Sequence, residues 1–173
     1  MPVTSAVAFE GPAARMIRAF KEEGRTALAR TLGPLLASAA VGYGDAVVVP
    51  VPSSASAMRR RGYPTAELLA RRGGLQPVRL LSGTGAPADQ RGLGRTDRER
   101  NVAGTLRARG CAGARVVIVD DVVTTGATLR EAARALEAAG ACVIGAATVA
   151  TTLRPGHGDG DAIRLAQRLA SRQ

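Results

Sequence analysis

Apolar positions along the chain follow two different periods, and the places where one gives way to the other divide it into elements. From Phe9 to Val41 the spacing is mostly helical. Met16, Ile17 and Phe20 form one stripe, Gly24 interrupts it, and Leu28, Leu32, Leu35 and Leu36 form a second. Pro12, after Gly11, suits a first helical turn, and Gly33-Pro34 is expected to kink or divide the second helix. Asp45 to Pro52, DAVVVPVP, predicts a strand ended by its prolines. Pro64 to Arg71 predicts a helix, and Gln76 to Leu81 a short strand. Gly83 to Arg100 carries no hydrophobic period and many small and charged residues. Val116 to Val119 reads as a buried parallel strand, Ala127 to Ala139 as a helix on Leu129, Ala132, Ala133 and Leu136, and Ala141 to Thr148 as another strand. After the turn GHGDGD, Asp161 is placed to cap a last helix, Ala162 to Ala170. With no repeat and no second period, residues 1–173 read as one α/β domain, doubly wound around a mainly parallel sheet, with an N-terminal helical part over residues 1–44.

The stretch VVIVDDVVTTGAT, Val116 to Thr128, carries the chemistry. Asp120 and Asp121 follow the strand, and Thr124, Thr125, Gly126, Ala127 and Thr128 lead into the helix. Ligands of open α/β sheets sit beyond the carboxyl ends of the strands. A tight loop entering a helix points backbone N–H groups outward, where the helix dipole adds partial positive charge, so it suits a phosphate monoester. The two carboxylates repel phosphate and suit hydroxyl donors, such as a ribose diol, or a metal ion. A phosphate site beside a diol site is what a ribose 5-phosphate requires. The competing description is an ordinary strand–loop–helix unit with a solvated acidic turn.

Composition narrows the alternatives. The formal charge is +10, and all but one of the 24 basic residues are arginine, the exception being Lys21. No G-K-[ST] exists, which excludes a Walker A loop. The basic excess suits an anionic ligand or nucleic acid, although arginine, alanine and glycine enrichment is also what a biased genome composition produces. Phe9, Phe20, Tyr43 and Tyr63 are the only aromatic residues, few for a surface that stacks bases, so nucleic-acid binding is expected to be weak and electrostatic. Cys111 and Cys142 lack metal-ligand spacing, and Cys142, in an apolar run, is expected in the core. His157, the single histidine, lies in the GHGDGD turn, and without a GxSxG it makes no hydrolase triad. No apolar run approaches the roughly 20 residues a membrane helix needs, and the first twenty residues do not form a signal peptide. A cytoplasmic protein without membrane partners is expected, with a homodimer left open.

VVIVDDVVTTGAT resembles the phosphoribosyl pyrophosphate motif of type I phosphoribosyltransferases. The resemblance implies that Asp120 and Asp121 take the ribose hydroxyls and that Thr124 to Thr128 take the 5′-phosphate. Mg²⁺ is implied as cofactor, touching Asp120 and Asp121 directly or through its waters. Other segments are similar to the ComF-type family of phosphoribosyltransferase-like proteins: GPAARMIRAFKEEG, with Lys21; VPVPSSASAMRRRGYPTAELLA; and DQRGLGRTDRERN, with Gln90, Leu93, Arg98, Arg100 and Asn101. Pro64-Thr65 stands where that family often has Asn-Gln. The four-cysteine zinc module of many ComF-type proteins has no counterpart among the two cysteines here.

By this resemblance residues 83–101 correspond to the flexible flap that closes over the reaction centre, with Arg98 and Arg100 as catalytic candidates. Ser53, Ser54, Arg59 and Arg61 become candidates for the pyrophosphate, which arginine binds through charge-assisted hydrogen bonds. The ligand implied is phosphoribosyl pyrophosphate or a nucleoside monophosphate, and the reaction is transfer of the phosphoribosyl group to a base or amine. A non-catalytic sensor or accessory of DNA uptake on the same scaffold is the alternative, because fold alone does not decide function.

Overall fold

The computed structural model describes residues 1–84 and 102–152. Among these, four parallel strands form the central sheet in the order β1-β6-β5-β2: β1 Val3–Ala8, β2 Val47–Pro50, β5 Arg115–Val123 and β6 Cys142–Thr151. The other two strands, β3 Leu81–Gly83 and β4 Leu106–Ala108, form a separate antiparallel ribbon whose ends lead into and out of segment 85–101. The helices are α1 Gly11–Glu22, α2 Ala29–Ala40, α3 Ala55–Arg61, α4 Thr65–Arg72 and α5 Ala127–Ala138.

Alternation along β5 explains why the sheet is covered on both faces. Val117 and Val119 point into a core with Ile17, Phe20, Leu32, Leu36 and Leu69, supplied by α1, α2 and α4. Val116 and Ile118 point the other way, into a core with Val49, Leu129 and Leu136, supplied by β2 and α5. This is the doubly wound α/β arrangement, mainly parallel, that the periodicity predicts.

Several local expectations are revised. β1 is a strand that the sequence reading omits: its alternation is weak, and only Ser5 in it is buried, where its hydroxyl meets Thr148 Oγ1 at 2.7 Å. Gly33-Pro34 does not divide α2, which continues through Pro34. Gly33 instead allows close contact with α4, since a Cβ there would lie 2.6 Å from the Gly73 nitrogen. The predicted strand 76–81 is largely one parallel bridge, Val48 with Pro77, and Gly83 ends β3 instead of opening a loop. The basic turn after Ser53 contains the helix α3, begun by Ser54, which accepts from Ala57 N–H at 3.2 Å, and closed by Gly62 at φ +81°. Cys142 is exposed at the start of β6, and it is Cys111 that is buried. The last predicted helix, 162–170, and His157 lie outside the described residues.

Candidate functional site

The acidic pair does not follow β5 but belongs to it. β6 runs on to Thr151, so β5 keeps a partner as far as Val123, with Asp120 beside Thr148 and Val122 beside Ala150. On its other side β2 ends at Pro50, level with Val119. The Asp121 N–H, past that end, donates instead to Asp120 Oδ1 at 2.8 Å. Val122 N–H donates to Asp121 Oδ1 at 2.7 Å. Polar side chains thus satisfy the backbone where the neighbouring strand stops.

Beyond Val123 the chain turns into α5 through Gly126, at φ +75° and ψ 4°, a left-handed conformation that favours glycine. Gly126 is the N-cap and supplies no side-chain acceptor, and the first N–H groups of a helix have no intrahelical partner. Thr125 Oγ1 accepts from Ala127 N–H at 3.3 Å, and Thr125 O accepts from the Arg130 guanidinium at 2.9 Å. The helix start therefore keeps N–H groups that no side chain of its N-cap satisfies.

A cleft of about 440 Å³ joins these parts. Asp120, Asp121, Thr124 and Thr128 line it from β5 and the α5 loop, and Ser53, Ser54 and Arg61 from the end of β2 and α3. Thr125, Gly126 and Ala127 form the turn behind it. Arg59, exposed on the last turn of α3, is not among the lining residues. Both serine hydroxyls have structural partners: Ser54 caps α3, and Ser53 accepts from Thr65 N–H at 3.4 Å at the start of α4. The Nε of Arg61 is shut off from solvent with no hydrogen-bond partner among the described residues. Arg98 and Arg100 lie outside the described residues.

The fourth wall comes from Phe9, just before α1, and from Ile17, Arg18, Lys21 and Glu22 on α1. Of these the sequence reading ties only Lys21 to a family segment, and none to the cleft. The signal was available in part, since Ile17 and Lys21 are one helical turn apart, but the partner of Lys21 lies 100 residues away. Lys21 Nζ donates to Asp121 Oδ1 at 3.1 Å and lies 3.0 Å from Oδ2. Tyr63 ties the same helix to the turn between α3 and α4, its hydroxyl donating to Phe20 O.

The two carboxylates differ. Asp121 has a side chain 5% exposed and is paired with Lys21. Asp120 is half-buried, and burial first, the Asp121 carboxylate second, push its carboxyl up to about 8; the Asp121 N–H and the Lys21 ammonium pull the other way. No group of three or more metal-ligating side chains occurs among the described residues, and no helix among them is long and apolar enough to cross a membrane. The cleft therefore brings together an uncapped helix start, two carboxylates a few residues away, and three cationic side chains, Arg18, Lys21 and Arg61.

The phosphoribosyl transferase domain family matches residues 57–164. Orotate phosphoribosyltransferase of Bartonella quintana (strain Toulouse) is 60% identical over 37 residues, 21% of this chain and 19% of that protein. Among solved structures, the allosteric regulatory enzyme of purine biosynthesis is similar at 26% identity and a TM-score of 0.41, over 73% of this chain and 26% of that one. Leishmania donovani UMP synthase is similar at 16% identity and a TM-score of 0.46, over 89% of this chain and 27% of that one. The chain spans about a quarter of the length of these two structures and less of the curated relative.

Proposed function

The chain belongs to the phosphoribosyl transferase domain family, and from that premise we propose that it binds phosphoribosyl pyrophosphate or a nucleoside monophosphate and transfers the phosphoribosyl group to a base or amine. The observation that carries this reading is the juxtaposition, in one cleft, of the Thr124–Thr128 helix start with the Asp120–Asp121 carboxylates. The loop N–H groups and the hydroxyls of Thr124 and Thr128 take the 5′-phosphate. The acidic pair accepts from the ribose hydroxyls. Arg61 faces the pyrophosphate, Ser53 and Ser54 border it, and Arg59 acts from outside as a steering charge. Arg98 and Arg100 are the candidates that cover the reaction centre.

In the reaction the bond between C1 and the pyrophosphate oxygen breaks, and a nitrogen of the acceptor forms the new bond to C1. The protein's contribution is to position the two partners and to neutralise charge on the departing pyrophosphate. The residues fit a hydrated Mg²⁺ held chiefly by substrate oxygens. Asp120 is the less buried carboxylate, whereas Lys21 already neutralises Asp121. When bound, Mg²⁺ would offset negative charge on the departing pyrophosphate, with Asp120 and Asp121 as the protein groups nearest to hold it.

The finer placement, among ComF-type proteins, is supported by the Lys21, VPVP and RERN segments. A sensor that holds ligand without turnover is the second reading, favoured by the commitment of Ser53 and Ser54 to helix caps. One experiment addresses both. Calorimetry with phosphoribosyl pyrophosphate, on wild type and Gly126→Val, is paired with pyrophosphate release across a panel of bases and amines. The valine variant is expected to bind at least about tenfold more weakly, because hydrogen bonds to a charged phosphate are lost. Equal affinity would end the phosphate-site assignment, and binding without release on any acceptor would favour the sensor.

A further inference from the structure

Lys21 is the only lysine of the chain, and its one ionic partner among the described residues is a buried carboxylate of the candidate site. An ammonium carries three donors. Here it lies within 3.1 Å of Asp121 Oδ1 and 3.0 Å of Oδ2. The Oδ2 atom, shut off from solvent, has no hydrogen-bond partner of good geometry among the described residues, so the nearby ammonium is what balances its charge. Asp121 in turn donates its N–H to Asp120 Oδ1. A chain of contacts therefore runs from helix α1, through Lys21 and the Asp121 carboxylate and backbone, to one oxygen of Asp120. The second oxygen of Asp120 is not engaged by that chain.

Two carboxylates on consecutive residues repel each other, and a buried one without a counter-ion is costly. Lys21 removes both difficulties at once. Strand alternation already puts Asp121 on the α1 side of β5, with Val117 and Val119, and Lys21 supplies the counter-ion that it meets there.

Resting on the phosphoribosyl reading above, we infer that Lys21 is a positioning residue of the ribose subsite: it holds the Asp121 carboxylate from α1 and, through the Asp121 backbone, one oxygen of Asp120, so that the acidic pair meets the ribose diol in a fixed orientation. The N-terminal helix thereby takes part in choosing the sugar, although it contributes nothing to the phosphate loop.

The test compares ribose 5-phosphate with 2-deoxyribose 5-phosphate by calorimetry on wild type, Lys21→Met and Lys21→Arg, with inorganic phosphate as a third ligand. Wild type is expected to prefer the ribose compound by about tenfold or more, the range for a hydrogen bond to a charged group. Lys21→Met is expected to lose most of that preference while its affinity for inorganic phosphate stays within about twofold, because the helix start at Gly126 is untouched. Lys21→Arg, which keeps the charge, is expected to recover most of the preference.

Undiminished discrimination in Lys21→Met would overturn the inference and leave the phosphoribosyl reading standing. Parallel loss of sugar and phosphate binding in Lys21→Met, without recovery in Lys21→Arg, would reduce Lys21 to a structural strut and also overturn it. Failure of wild type to bind ribose 5-phosphate at all would overturn the phosphoribosyl reading, and this inference with it.

Discussion

Replacing Glu131 by glutamine should loosen the base of segment 85–101 from the helix that presents the phosphate loop. Glu131 is buried on α5. It accepts from Leu106 N–H at 3.1 Å, and from Arg134 Nε and a terminal guanidinium nitrogen at 2.7 and 2.8 Å, while Arg134 also donates to Leu106 O at 3.2 Å. The Arg134 guanidinium first, then the N–H groups of Leu106 and Gly104, hold the carboxyl down from 4.5 to about 2, against burial, which raises it. A lowering of that size corresponds to about 3 kcal/mol of preference for the ionised form. Half of Arg134 lies in solvent, which screens the pair, so about 2 kcal/mol is the expected cost of Glu131→Gln near neutral pH.

The sign follows from linkage. A carboxyl with a depressed folded-state value stabilises the fold above its ordinary value of 4.5, and that contribution fades as pH falls from 4.5 through about 2. Urea unfolding of wild type and Glu131→Gln, at several pH values between 7 and 2.5, reads the difference directly. The gap should be widest at neutral pH and close steadily below 4.5. A gap that stayed constant across the range, or none at pH 7, would refute the assignment of Glu131 as an ionised anchor for β4.

Three further outcomes are expected. Gly33→Ala should destabilise the fold by about 1–3 kcal/mol, because its Cβ would meet Gly73 backbone across α2 and α4; a thermal midpoint equal to wild type would refute that contact. Asp120→Asn should weaken ribonucleotide binding by about 1–3 kcal/mol, as seen in calorimetry, and unchanged affinity would exclude Asp120 from the diol. Single-stranded DNA should bind weakly and fall off steeply between low and physiological salt, since +10 of charge supplies attraction and four aromatic residues little stacking. Tight binding that persisted at high salt would require a base-reading surface.

The parts of this fold that were legible in the sequence are those whose signal is local. β5 and α5 announce themselves through four consecutive β-branched residues and a stripe on Leu129 and Leu136. The small-residue turn between them marks where the strand gives way to the helix. Local pattern could not show that β5 continues through Asp120 and Asp121, because β6 decides that by reaching Thr151. It could not show β1, whose pairing with β6 is settled by a partner more than a hundred residues away. α3 is too short to display a full amphipathic period, and its start depends on one serine. The wall formed by α1 illustrates the same limit: the stripe on Met16, Ile17 and Phe20 predicts a helix but not which side of the sheet it covers or which carboxylate its lysine meets.

Because β1, among the described residues, lies at the edge of the sheet and pairs only with β6, two segments far apart in sequence must find each other before the site is whole. On the ribosome, Val3–Ala8 and the helix after it emerge early and wait while more than a hundred residues are made, since Ser5 has Thr148 as its partner and Lys21 has Asp121. Contacts at such separations are late events in folding, because a long loop must close before they return any stabilisation. The α5 loop, by contrast, connects neighbouring strands and can assemble from residues close in sequence. The turn before α5 is therefore expected to form first during synthesis, with Asp121 gaining its counter-ion only when α1 docks.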